Sequence, residues 1–245
     1  MINFFRKTRK KLADDNKPVK YFRYAIGEIA LVVIGILIAL SINNWNEERK
    51  YHNQEITMLK EIKSSLNENI VQLNLMLEYN NDVIKSYEII NEFYDKKLPY
   101  NDSLDIHFAV LDNWESPFFN YSAYMTLKNK GVELLSNDSL KQRIVRVFEY
   151  DLELLTNDQD KSEWNYNMAV VLPFFSKNFT DIRLSSPKTS KPNNYGELMD
   201  DQEFKNILRH IMLLRNGGIK QTLELKKTIE DLMNDIIIEI QNHYD

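Results

Sequence analysis

The chain has 245 residues and no cysteine, which excludes disulfides, Cys-ligated zinc, iron–sulfur clusters and a thiol nucleophile. Its net charge of −5 hides a division: residues 1–24 hold eight Lys or Arg against Asp14 and Asp15, so a basic head precedes a strongly acidic remainder. Six Gly and six Pro in the whole chain call for long helices with few breaks.

The first predicted element is a membrane span. Ala25 to Ile42 carries one charge, Glu28, and its roughly 18 residues cover ~27 Å at ~1.5 Å each, close to a hydrocarbon core of ~30 Å. A cleavable leader would have a shorter apolar run and small residues after it; here Asn43, Asn44, Trp45 and Asn46 follow. The positive-inside rule accounts for the basic head, so nucleic acid is not an expected partner. It places residues 1–23 in the cytoplasm, a transmembrane helix over 24–43, and a helical domain over 44–245 outside the inner membrane, in the periplasm of a cell with two membranes. Glu28, Val32, Gly35 and Ala39 fall on one side of this helix, and Gly35 with Ala39 forms a small-xxx-small pair. That side is a candidate helix-association face. One alternative is that Glu28 simply reaches toward headgroups at the helix start, and a remote one is an ion or proton path.

No Gly or Pro occurs from Ile36 to Leu98, so nothing obliges the helix to stop on leaving the bilayer. Counting by sevens from Leu59 gives Leu66, Leu73, Asn80, Tyr87 and Tyr94, flanked by Ile62, Asn69, Met76, Val83 and Ile90. The stripe is broader than a coiled-coil seam, which predicts a helix in a bundle, with a dimeric coiled coil second. Leu98 and Pro99 end it, and Asn101 to Ser103 offer a cap for a short helix through Leu111.

The segment Trp114 to Tyr124 is irregular and rich in rings. Trp114, Phe118, Phe119, Tyr121 and Tyr124 form a candidate partner or ligand surface, or else fill one end of the core. Gly131 breaks the next helix and Asn137 to Ser139 open another. A further helix is expected to stop near Pro173. Residues 176–199 read as a surface loop, and Asn216, Gly217 and Gly218 as a hinge before a last helix carrying Leu225, Ile229, Leu232, Met233, Ile236, Ile237 and Ile240. The fold expected is all-α, an antiparallel bundle with a long first helix behind the membrane span.

No glycine-rich phosphate loop, nucleophile elbow or paired-histidine zinc motif occurs, so no catalytic residue, metal or cofactor is expected. Asp200, Asp201 and Glu203 stand at a helix start, where capping explains them; with His210 they are the only residues offered for a hydrolase.

Two stretches point to a family. "YAIGEIALVVIGILIALSINNWNE" (Tyr24 to Glu47), after "MINFFRKTRKKL", resembles the start of a large family of uncharacterised single-span membrane proteins from Bacteroidota. "YMTLKNKGVELLSNDSLKQRIVRVFE" (Tyr124 to Glu149) is similar to that family's second recurring pattern. The resemblance implies a periplasmic outer part but no activity. It also implies that Ser103 and Ser139, each within a "DSL", are similar to the periplasmic O-glycosylation signal of the phylum. The function expected is that of an envelope interaction or scaffold protein, touching the bilayer and either itself or another envelope protein. A ligand-sensing domain signalling through a partner is the alternative, and a periplasmic hydrolase the remote one.

Overall fold

A computed structural model describes residues 7, 18–112, 116–182 and 188–242. The chain divides into two compact units, Met1–Gln54 and Glu55–Asp245. The boundary falls within the first helix, α1, Pro18–Asp95.

In the first unit, the described part of α1 exposes its apolar side chains, from Ile26 through Trp45. Among the described residues this is the single helix long and apolar enough to cross a membrane. A Cβ added at Gly27 or Gly35 would meet nothing within the chain.

The second unit is built on three long helical runs. The part of α1 from Glu55 onward buries Leu59, Ile62, Leu66, Leu73, Val83 and Ile90, the helical-period stripe that the sequence predicts. The helix ends in a Schellman arrangement: Lys97 takes φ 49°, the Leu98 N–H donates to the Phe93 carbonyl at 2.9 Å, and Pro99 forbids continuation. A single 3-10 turn, Asp102–Leu104, capped by the Asn101 side chain, leads into α2, Asp105–Leu111. Next, α3, Ser122–Lys130, stops at Gly131, whose φ of 99° suits only a residue without Cβ.

The second long run, α4, covers 138–178. It opens on the Asn137 cap, whose Oδ1 accepts from the Leu140 N–H at 3.1 Å. Three widened π segments then interrupt it, at Val147–Asp151, Leu155–Asp160 and Asn167–Val171. The third corrects the expectation of a stop near Pro173. The Leu172 N–H bonds five residues back to the Asn167 carbonyl, so Pro173 falls where the regular ladder is already broken, and the helix resumes as Leu172–Asn178.

The expected loop at 176–199 is also corrected. Strands β1, Phe179–Ile182, and β2, Thr189–Pro192, pair antiparallel, with Phe179 opposite Pro192 and Ile182 opposite Thr189. The fold is therefore nearly all-α rather than all-α. Helix α5, Tyr195–Asp200, follows.

The third long run, α6, Gln202–Asn242, passes through Asn216, Gly217 and Gly218 without a break. No hinge exists there. Gly218 is buried, and its absent side chain lets Glu163 and Gln159 approach: a Cβ would lie 3.2 Å from the Glu163 Oε1. Along α6, Arg215 meets Asn80, Lys226 meets Asn74, and Glu239 bonds Asn137, whose neighbour Ser136 holds Glu55. Rising positions on α6 thus meet falling positions on α1, and the two run antiparallel.

The core is two clusters rather than one. The first gathers Leu59, Leu66 and Leu73 with Tyr124, Leu127, Ile144, Phe148 and Leu155, and with Leu225, Ile229, Leu232 and Ile236. The second gathers Val83 and Ile90 with Phe108, Phe174, Phe175, Phe179, Phe204, Ile207 and Ile211. On all three long runs the switch from one cluster to the other brackets a polar stretch: Asn80 on α1, Gln159 to Asn167 on α4, and Arg215 to Thr222 on α6.

Candidate functional site

That polar belt is the site. Arg215 and Glu163 are 5% and 7% exposed, and the Arg215 Nη1 donates to the Glu163 Oε2 at 2.6 Å and to the Asn80 Oδ1 at 3.1 Å. The guanidinium also lies over the Tyr79 ring, 5.4 Å from its centroid. The other Glu163 oxygen, Oε1, accepts from the Gln159 Nε2 at 2.7 Å, and the same Nε2 reaches the Leu214 carbonyl at 2.8 Å. Burying an ion pair is costly unless hydrogen bonds support it, and here partners for the Arg215 Nη1 and for both Glu163 oxygens come from three helices.

Local structure places these groups. The π segment Leu155–Asp160 delivers Gln159 and Asp160 just ahead of Glu163, with the Lys161 N–H bonding five back to the Thr156 carbonyl. Each π turn adds a residue to the turn and so swings the following side chains to a new face; such turns recur at functional sites. Gly218 lets α6 come close enough for Glu163 to sit against it.

A cleft of about 360 Å³ opens beside the belt. Its floor, the buried part of the lining, includes Asn80, Pro117, Glu163 and Arg215; its polar wall includes Glu78, Asp82, Gln159 and Asp160; Leu75 and Phe118 are exposed at the rim and Met76 is half-buried. Burial pushes the Asp160 carboxyl above its ordinary range. The hydrogen bond from the Ser116 Oγ, at 2.9 Å, opposes this, the nearby Glu163 charge adds to it and Arg215 opposes it.

The ring-rich segment divides. Tyr124 is buried and stacks on Phe148 at 4.9 Å, Tyr121 meets the same ring edge-on at 6.1 Å, and Phe119 packs against that cluster. Phe118 alone of the four described rings turns outward, 81% exposed, into the cleft rim. Trp114 lies outside the described residues.

Of the other sequence candidates, Glu28 is half-buried and Val32, Gly35 and Ala39 are exposed. Ser103 and Ser139 are exposed, each followed by a buried leucine, Leu104 and Leu140. Asp201 Oδ1 accepts from the Glu203 N–H at 2.7 Å, which is the helix cap the sequence suggests. Asp200 ends α5 and His210 packs on Tyr166, with 4.1 Å between ring centroids. Among the described residues no group of three or more His, Asp or Glu could hold a metal ion.

Sequence reasoning missed Arg215, Glu163 and Gln159. One signal was present: Asn69 and Asn80 occupy positions in an otherwise apolar stripe, and both are buried, at 0% and 4% exposure.

Fold and site together define a helical domain with a polar cleft, carried on a helix whose N-terminal part is apolar enough to span a bilayer. The chain belongs to the family of unknown function DUF6090, which matches residues 28–217. No curated protein and no solved structure matches it.

Proposed function

We propose that this chain is a membrane-anchored binding protein of the cell envelope, whose helical domain recognises a ligand in the cleft beside Arg215 and Glu163. The observation that carries this reading is the pairing of a buried ion-pair floor with an 81% exposed Phe118 on the rim. Rigid polar groups set orientation and an unspent aromatic surface supplies contact area, the usual division of labour in a ligand pocket. This favours ligand sensing over a purely structural scaffold. The test is the melting temperature of the full chain in detergent across a library of envelope metabolites. A compound that raises it for the parent but not for Phe118→Asp supports binding in the cleft, and a library that stabilises neither protein counts against it.

The topology we propose places the basic head in the cytoplasm and the domain from about residue 44 in the periplasm, on the strength of the charge asymmetry across the apolar segment. A reporter fused after Tyr100 that stays cytoplasmic overturns it.

A second reading, association with another copy or another envelope protein through Glu28, Val32, Gly35 and Ala39, is favoured by one observation. Gly35 has no packing neighbour within the chain that its small size would serve, so close approach by a second helix is what the glycine suits. Gly35→Leu and Glu28→Gln should reduce cross-linking in membranes without blocking insertion; unchanged cross-linking removes this reading. Glycosylation at Ser103 and Ser139 stays a proposal on their exposure, and an intact mass equal to that of the bare sequence rejects it.

A further inference from the structure

The cleft's own chemistry narrows its ligand. Four carboxylates line it, those of Glu78, Asp82, Asp160 and Glu163, against one cation, Arg215. Arg215 is committed to Glu163 and Asn80 at the floor, and Asp82 accepts from the Lys85 Nζ at 3.1 Å. Glu78 and Asp160 are left as the acidic surplus of the wall. The same cleft is lined by Leu75, one turn before Glu78 on α1, and by Met76, Pro117 and the exposed Phe118 ring.

An anion entering this space would meet those carboxylates while Arg215 is already engaged. A neutral apolar molecule would use the rim and bring the half-buried Asp160 no positive charge beyond that of the already engaged Arg215. An ammonium or guanidinium at the end of an apolar chain matches both kinds of lining: its charge is drawn to the carboxylates and the ring face, and its chain covers Leu75 and Phe118. The volume suits one such group rather than a folded protein surface.

We propose that the cleft binds an organic cation, with its ammonium or guanidinium at Asp160 and its apolar chain against Phe118 and Leu75. This rests on the cleft being a binding site, as argued above. Free amines and the side chains of lysine or arginine in a peptide share the chemistry, and one experiment separates the sources.

The experiment is calorimetric titration of the full chain in nanodiscs, with empty nanodiscs as blank, using n-pentylamine, agmatine, pentanol, hexanoate and the capped tripeptide acetyl-Leu-Lys-Leu-amide. The expected result is binding of the cations at least tenfold tighter than of pentanol, none of hexanoate, and a tenfold or greater loss in both Asp160→Asn and Phe118→Ala. A tighter tripeptide assigns the cation to a peptide side chain, and a tighter amine or agmatine to a free small molecule; both support the proposal. If pentanol or hexanoate binds as well as pentylamine and loses affinity in Phe118→Ala, the cleft is a binding site but the cation assignment is overturned. If no probe binds, the cation assignment is overturned too, and the metabolite screen decides separately whether the cleft binds anything else. Phe118 is exposed, so its substitution leaves the fold intact and the comparison sound.

Discussion

Asn69 grips the backbone of Asn120 with both ends of its amide: Oδ1 accepts from the Asn120 N–H at 2.6 Å and Nδ2 donates to the Asn120 carbonyl at 3.3 Å. The two residues are 51 positions apart, and the contact ties the irregular segment bearing Phe118 to α1. The Asn120 Oδ1 in turn accepts from the N–H of Ser122, the first residue of α3, at 2.8 Å. Asn69→Leu leaves the half-buried Asn120 N–H and carbonyl without their side-chain partners. It should cost about 1–3 kcal/mol, read as a lower urea midpoint, with faster hydrogen exchange at the Asn120 amide. Unchanged exchange there would show that the clamp does not hold the segment.

The Arg215 and Glu163 pair makes a stronger demand. Arg215→Met leaves Glu163 charged and buried, and Glu163→Met does the same to Arg215, so each single change should cost about 3–5 kcal/mol. The double substitution removes both charges together and should be less damaging than either single one. Denaturant titration of the four proteins gives the coupling directly, and simple additivity would refute the pairing.

Gly217 and Gly218 should respond differently to alanine. At Gly217 a Cβ would lie 3.6 Å from the nearest atom, ordinary contact, so Gly217→Ala should gain up to ~1 kcal/mol of helix propensity. At Gly218 it would press within 3.2 Å of the Glu163 carboxylate, which Arg215 and Gln159 hold in place. Gly218→Ala should melt below Gly217→Ala. Equal melting temperatures would mean that the approach of α6 to α4 is loose.

His107, on α2, lies 3.1 Å from the buried Ser86 hydroxyl on α1, and burial lowers its pKa below the ordinary 6.5. Between that lowered value and 6.5 the folded chain binds fewer protons at this ring than the unfolded chain does. Stability should therefore rise with pH across that window and level off above it. The difference in urea midpoint between the parent and His107→Gln, followed from pH 5 to 8, isolates the effect; a flat difference would exclude it.

What the sequence disclosed was whatever rests on period and capping. The Leu59 to Leu73 part of the stripe is buried with the face of Leu225, Ile229, Leu232 and Ile236, and the Asn101 and Asn137 caps form where a polar side chain precedes a helix. What it concealed rests on contacts between distant residues. Glycine propensity reads Asn216 to Gly218 as a break, yet packing against Gln159 and Glu163 carries the helix through. Pro173 reads as a stop, and a π turn that no local pattern announces removes the conflict. Glu163 and Arg215 look like ordinary surface charges until the fold brings together residues 52 apart. Composition groups Phe118 with Tyr121 and Tyr124, and only the fold separates it from those two, which face the core.

The polar belt also decides how the domain comes apart. Apolar contacts make a folded region cooperative, and here they are interrupted at one level on all three long helices, where the cleft opens. The two clusters are then separate foldons joined at a polar seam. Amides beside Leu66 and Ile229 should share one opening energy, those beside Phe108 and Ile207 another, and the amides of Gln159 to Glu163 should exchange ahead of both. A ligand seated in the seam would close the gap between the two values, making occupancy visible as a gain in cooperativity before any change in shape.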